Sequence, residues 1–118
     1  MGASIFHKTE PSVWEQAQTD GSYYGSTRGA SLGDVGFIHC SFRHQLETVA
    51  NFLYGDWDGP LLLLEADPDN ISAEIRVENL DGGSEGFPHI YGPLPTNAVK
   101  AVHLLVKQST GWTLPPDL

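Results

Sequence analysis

Pro60-Leu61-Leu62-Leu63-Leu64-Glu65-Ala66, followed shortly by Ile71-Ser72-Ala73-Glu74-Ile75-Arg76-Val77-Glu78, decides the fold class. The first run is almost continuously apolar, as expected of a strand covered on both faces. In the second, Ile71, Ala73, Ile75 and Val77 alternate with Ser72, Glu74, Arg76 and Glu78. That period of two marks a strand with one packed face and one wet face. Two kinds of strand therefore follow each other. The four leucines fall far short of the roughly 18 apolar residues that cross a bilayer, so no membrane association is expected.

Upstream the pattern changes. Ser4 to Thr9 is rich in β-formers and predicts a short strand. Ser12-Val13-Trp14-Glu15 has the form of a capping box and predicts a helix to about Thr19, ended by Gly21. Gly36 to Cys40 predicts a strand. Ser41 is then expected to cap a second helix carrying the stripe Phe42, Leu46, Val49 and Leu53, stopped by Gly55. Downstream, Asp81-Gly82-Gly83 predicts a turn, Ala98 to Lys107 a strand, and residues 108–118 a surface tail packed through Trp112. Thirteen glycines and eight prolines fit short elements joined by many turns. The expectation is one α+β domain over residues 1–118, with two helices in its N-terminal half and strands elsewhere.

Charge narrows the partners. The net charge is −9, and residues 56–85 hold nine carboxylates against the single base Arg76. Such a surface repels polyanions, whose binding requires Lys and Arg to displace counterions, so nucleic acid is not an expected partner. The lone Cys40 permits no internal disulfide and suits a reducing compartment. No basic and apolar leader is visible at the N-terminus, so a cytoplasmic protein is expected, and the sequon Asn70-Ile71-Ser72 carries no weight without secretion.

The candidate chemistry lies in two histidine blocks, Gly36-Phe37-Ile38-His39-Cys40-Ser41 and Phe87-Pro88-His89-Ile90-Tyr91-Gly92. On an extended segment Phe37 and His39 share one face, while Ile38 and Cys40 turn to the core. By the same alternation His89 and Tyr91 share a face opposite Ile90. Pro88, Pro93 and Pro95 argue for an edge position or a pocket wall, because proline cannot donate to a ladder. His7 in Ile5-Phe6-His7-Lys8-Thr9 is a third imidazole, and Tyr23 with Ser26 lies in a glycine- and serine-rich loop. If these side chains converge they outline a pocket. A catalytic Cys40 with His44 as base is weighed against plain core packing, and core packing is favoured. A three-histidine metal site has no tight ligand spacing to support it. The acidic stretch lacks the EF-hand pattern.

The order of Ile5-Phe6-His7-Lys8, Trp14, Gly21-x-Tyr23-x-Gly25-Ser26, the Gly-Phe-Ile-His block and the Phe-Pro-His-x-Tyr-Gly block resembles the bacterial family catalogued as domain of unknown function 952, over about residues 4–107. That family looks similar in fold to the ADP-ribosyltransferases, which build two small split sheets around an NAD-binding cleft. The resemblance aligns His7 with their first motif and His39-Cys40-Ser41 with their second. Lys8 stands where a glycine is usual, and no Glu stands in the block around His89.

What the resemblance implies is an enzyme acting on NAD or an ADP-ribosylated small molecule. In that scheme His39 and His89 are the candidate catalytic residues, and His7, Tyr23, Ser26, Ser41 and Tyr91 are the ligand-binding ones. NAD enters as a substrate, and no metal or resident cofactor is called for. The competing expectation is a non-catalytic module that binds a small molecule or a protein through the same residues.

Overall fold

The computed structural model describes residues 3–25, 32–57, 59–79, 85–109, 111–115 and 118, the side chains of Phe52 and Leu53 excepted. The chain is α+β and mostly strand. β1 (Ile5–Thr9) leads into α1 (Pro11–Asp20), then β2 (Ser22–Tyr23), the single turn α2 (Leu32–Val35) and β3 (Ile38–His39). After α3 (Leu46–Tyr54) come β4 (Leu61–Ala66), β5 (Glu74–Glu78), β6 (Phe87–Tyr91), β7 (Leu94–Pro95), β8 (Val99–Gln108) and β9 (Gly111–Thr113). Among the described residues no helix is long and apolar enough to cross a membrane.

The strands form an antiparallel sheet in the order β1-β4-β8-β9, a second in the order β3-β6-β5, and the pair β2-β7. Among the described residues the two larger sheets touch at one bridge, where Phe6 N–H donates to the Ser41 carbonyl (2.9 Å) and Ser41 N–H to that of Phe6 (2.8 Å). Ser41 is thus committed to a strand and does not cap the helix as its position suggested. The Gln45 side chain takes the Phe42 N–H instead (2.9 Å), closing the turn that precedes α3. Helix α1 also begins earlier than the Ser12 box implied. Glu10 is its N-cap without a side-chain bond and Pro11 opens the first turn, where its missing N–H costs nothing. Gly21 closes α1 at φ 83°, as its left-handed backbone requires.

The apolar run of β4 works as its composition demands. Leu64 packs into one core with Ile5, Trp14, Ile38 and Ile90. Leu61 and Leu63 pack into another with Phe6, Leu46, Tyr54 and Trp112. Sheet β1-β4-β8-β9 therefore separates two cores, and all five residues of β1 are buried. The C-terminal segment is no surface tail. It pairs with β8, and its Trp112 is buried in the second core with Nε1–H donating to the Tyr54 carbonyl (2.7 Å).

The proline-bearing block departs furthest from expectation, since β6 is the central strand of its sheet. The N–H and C=O of one strand residue point toward the same neighbour. The Pro88 carbonyl accepts from Cys40 N–H at 2.9 Å, just beyond the last residue of β3. The missing N–H therefore falls where the β3 ladder stops, and the β5 side keeps its full register from Glu74↔Tyr91 to Glu78↔Phe87.

Candidate functional site

Directly paired strand residues project from the same face. His39 pairs with His89, Arg76 with His89, Glu78 with Phe87 and Glu74 with Tyr91. One face of β3-β6-β5 therefore gathers His39, His89, Tyr91, Phe87, Arg76 and Glu78, while Ile38 and Ile90 fill the core behind it. The Phe37 ring stacks on His89 at 4.2 Å between centroids, and the Phe87 ring lies 5.2 Å from that of His39.

The polar groups on this face form a chain. His39 Nδ1 stands 3.1 Å from His89 Nε2, His89 Nδ1 stands 3.0 Å from Glu78 Oε1, and the Tyr91 hydroxyl donates to the same oxygen at 2.5 Å. The Tyr91 hydroxyl, and after it the His89 ring, hold the Glu78 carboxyl below its usual range. The same bond to Glu78 raises the Tyr91 phenol. A carboxylate only accepts, so His89 carries its proton on Nδ1 when neutral. Its Nε2 is then an acceptor for the Nδ1–H of His39. The Arg76 guanidinium sits 4.6 Å from the centre of the Tyr91 ring and pairs with Glu74 at 2.9 Å.

His7 and Tyr23 belong to a separate, buried arrangement. His7 Nδ1 donates to the His39 carbonyl at 2.6 Å, and Nε2 lies 2.9 Å from the Tyr23 hydroxyl, itself 2.8 Å from Thr9 Oγ1. Burial is the main cause that lowers His7 from 6.5 to about 4, so the ring is neutral at physiological pH. Gly25 has no side chain for a reason: a Cβ there would meet the Tyr23 hydroxyl at 2.6 Å.

Of the residues singled out from the sequence, the fold brings His39, His89 and Tyr91 together on one surface. It places His7 and Tyr23 in the core behind that surface, where His7 bonds the His39 carbonyl. Ser41 lies in the bridge between the sheets, 1% exposed. Ser26 lies outside the described residues. Cys40 is fully buried, and burial pushes its thiol up to about 12, which removes it as a nucleophile. No set of three or more His, Cys, Asp or Glu side chains among the described residues is placed to hold a metal ion, so the three histidines do not form a metal centre.

Two groups escaped the sequence reading. Glu78 was one carboxylate in an alternating strand, with nothing local to separate it from Glu74. A cleft of about 540 Å³ on the other side of β1 holds a second carboxylate–imidazole pair, Glu65 Oε1 and His103 Nε2 at 2.9 Å, among Phe6, Phe42 and Arg43. Its residues come from strands and a turn far apart in sequence, and only the β4–β8 register (Leu63↔His103) would have paired them.

The family described as Protein of unknown function (DUF952) matches the chain over residues 8–102. The chain belongs to this family. The matched segment of the DUF952 chain contains every residue of the Glu78–His89–His39 relay. Its fold is similar to that of CC0527 from Caulobacter crescentus. The crystal structure of that protein has a TM-score of 0.75 at 26% identity, covering 92% of this chain and 91% of that one. Its solution NMR structure gives a TM-score of 0.74 at the same identity, with 92% and 90% covered. No curated protein matches the chain.

Proposed function

We propose that this DUF952 protein is a cytoplasmic enzyme that binds NAD or an ADP-ribosylated small molecule across the face of β3-β6-β5 and transfers or hydrolyses its ADP-ribosyl group. The observation that carries the reading is the Glu78–His89–His39 relay. A carboxylate behind a pair of imidazoles raises the basicity of the outer ring, and a positioned base contributes about 100-fold to 10,000-fold in rate.

In this scheme His39 Nε2 takes the proton of an attacking hydroxyl or water. The new C–O bond forms at the ribose carbon while the bond to the leaving nitrogen breaks, and nicotinamide departs with the bonding pair. The positive charge gained by His39 is stabilised through His89 by the Glu78 carboxylate. Phe37, Phe87 and Tyr91 supply ring surfaces for a planar base. The acid that the sequence block around His89 lacked is thereby supplied from the neighbouring strand. The finer fold reading, that of an ADP-ribosyltransferase, rests on the resemblance, and two small sheets joined at a single bridge suit it.

A binding module without turnover is the second reading. It is favoured by the burial of His89, which is 3% exposed under Phe37 and His39. A satisfied polar network can simply fix the register of a small sheet. Assays for release of nicotinamide from NAD, and of ADP-ribose from ADP-ribosylated amines, separate the two. Turnover that disappears in His39→Ala while the fold persists supports the enzyme; saturable binding with no turnover in the native protein overturns it in favour of the module.

A further inference from the structure

Phe6 pairs with Glu65 and His103 with Leu63, so these side chains project from one face of sheet β1-β4-β8-β9. Helix α3 covers that face at Leu61 and Leu63, where Leu46, Ala50 and Tyr54 pack. At Glu65 and His103 the face opens into the cleft of about 540 Å³, and no described residue of α3 lines it. Phe42, Arg43 and Leu118 form its other wall. A concave site of about 300–1,000 Å³ is the size that takes a small molecule.

The charges in the cleft are unevenly matched. Both oxygens of Glu65 are engaged: Oε1 lies 2.9 Å from His103 Nε2, Oε2 accepts from the Ser4 hydroxyl at 3.0 Å, and Lys100 Nζ stands 3.8 Å from Oε2. Burial raises this carboxyl, but the bonds from His103 and Ser4 outweigh it and hold the group below its usual range. A carboxylate only accepts, so a neutral His103 carries its proton on Nε2, and its Nδ1 has no partner among the described residues. Arg43 meets no carboxylate among the described residues; its guanidinium donates to the Leu118 carbonyl. The unmatched charge that the cleft presents is therefore the cation of Arg43. Leu118 shows what suits the place, since it sets an acceptor oxygen on Arg43 and packs a branched apolar side chain against the Phe6 cluster.

We propose that this cleft is a second ligand site, for a small carboxylic acid with a branched or aromatic apolar body. The carboxylate sits on Arg43 and the body lies against Phe6 and Phe42. A guanidinium presents its N–H donors in a planar fork that a carboxylate matches with two bonds. The two phenylalanine rings take the apolar body out of water, and a hydroxyl or amide N–H on the ligand donates to His103 Nδ1. The site shares no residue with the Glu78–His89–His39 relay, and the inference does not depend on the chemistry of that relay.

The test is a titration of N-acetyl-leucine and of phenylacetate into the isotope-labelled full chain, followed by the amide spectrum. N-acetyl-leucinamide and inorganic phosphate serve as comparisons, one lacking the charge and the other the apolar body. Both acids are expected to give saturable shifts at Ser4, Phe6, Arg43 and His103, with His39 and His89 unmoved. The amide and phosphate should bind at least about tenfold more weakly, and Arg43→Gln should weaken the acids by the same factor. Arg43 is exposed, so that variant keeps the fold. His103→Gln, which keeps a donor for Glu65, should weaken the acids less. No saturable shifts at tens of millimolar acid, an equal response to the amide or to phosphate, or full affinity in Arg43→Gln would overturn the proposal.

Discussion

Glu78 Oε1 lies 3.0 Å from His89 Nδ1, although the two residues are 11 apart in sequence and stand on different strands. The hairpin of β5 and β6 makes the contact, because the register Glu78↔Phe87 sets Glu78 diagonally across from His89 on one face. Each partner is ordinary alone; together they polarise His39.

Replacing Glu78 by Gln keeps an acceptor for the His89 proton and removes the charge that would stabilise an imidazolium. Turnover should fall by about 100-fold or more with the melting temperature little changed. Tyr91→Phe removes one donor from the same carboxylate and should have a smaller effect. A Glu78→Gln protein as active as the native one would remove the relay from the mechanism.

Tyr23→Phe tests the buried histidine. The hydroxyl serves both His7 Nε2 and Thr9 Oγ1; its loss leaves the buried His7 Nε2 without a partner, while Thr9 Oγ1 keeps only its long bond to the Glu10 carbonyl. Urea denaturation should show a loss of about 1–3 kcal/mol, with no change in ligand affinity beyond that. A ligand-contact role for Tyr23 would show the reverse, weaker binding at unchanged stability.

Acid sensitivity follows from His7. Its folded value, about 4, lies below the ordinary 6.5, so the unfolded state binds more protons between those values. Stability from this group is complete above pH 6.5 and is lost as the pH falls toward 4, by about 3 kcal/mol in all. His7→Gln should flatten that part of a stability–pH curve, and the remaining acid loss belongs to carboxylates such as Glu65, Glu74 and Glu78, whose values are lowered. A curve with the native slope across that window in His7→Gln would contradict the buried, neutral ring.

Trp112→Ala separates a core residue from a tail residue. Loss of the buried ring and of its bond to the Tyr54 carbonyl should cost about 3–5 kcal/mol, against at most about 0.5 kcal/mol for a surface position. Thermal or chemical unfolding reads the difference directly.

How much of this was legible in the sequence depended on the range of the interaction. Alternation within a strand is local, so the faces of Phe37, His39, Ile38, His89, Ile90 and Tyr91 came out as the fold has them. The double-sided burial of β4 was equally plain from Leu61 to Leu64. Pro88 misled because the rule against central prolines assumes a full ladder on both sides, and β3 is only two residues long. Ser41 misled because a hydroxyl before an apolar stripe reads as a cap, whereas here its backbone is needed by Phe6. Trp112 was hidden by its prolines and by β9 being only three residues long. His7 and Tyr23 were expected to line a ligand pocket if they converged; they stand 2.9 Å apart, but inside the core. Partner choice across strands, which selects Glu78, is a property of register and has no local signature.

The measurement that bears most directly on the central claim is a titration of NAD and ADP-ribose into isotope-labelled protein, followed by the amide and histidine-ring spectra. Saturable shifts gathered at Phe37, His39, Arg76, Glu78, His89 and Tyr91, and lost in His39→Ala, are the predicted result. No shifts at millimolar ligand, or shifts confined to other surfaces, would contradict it.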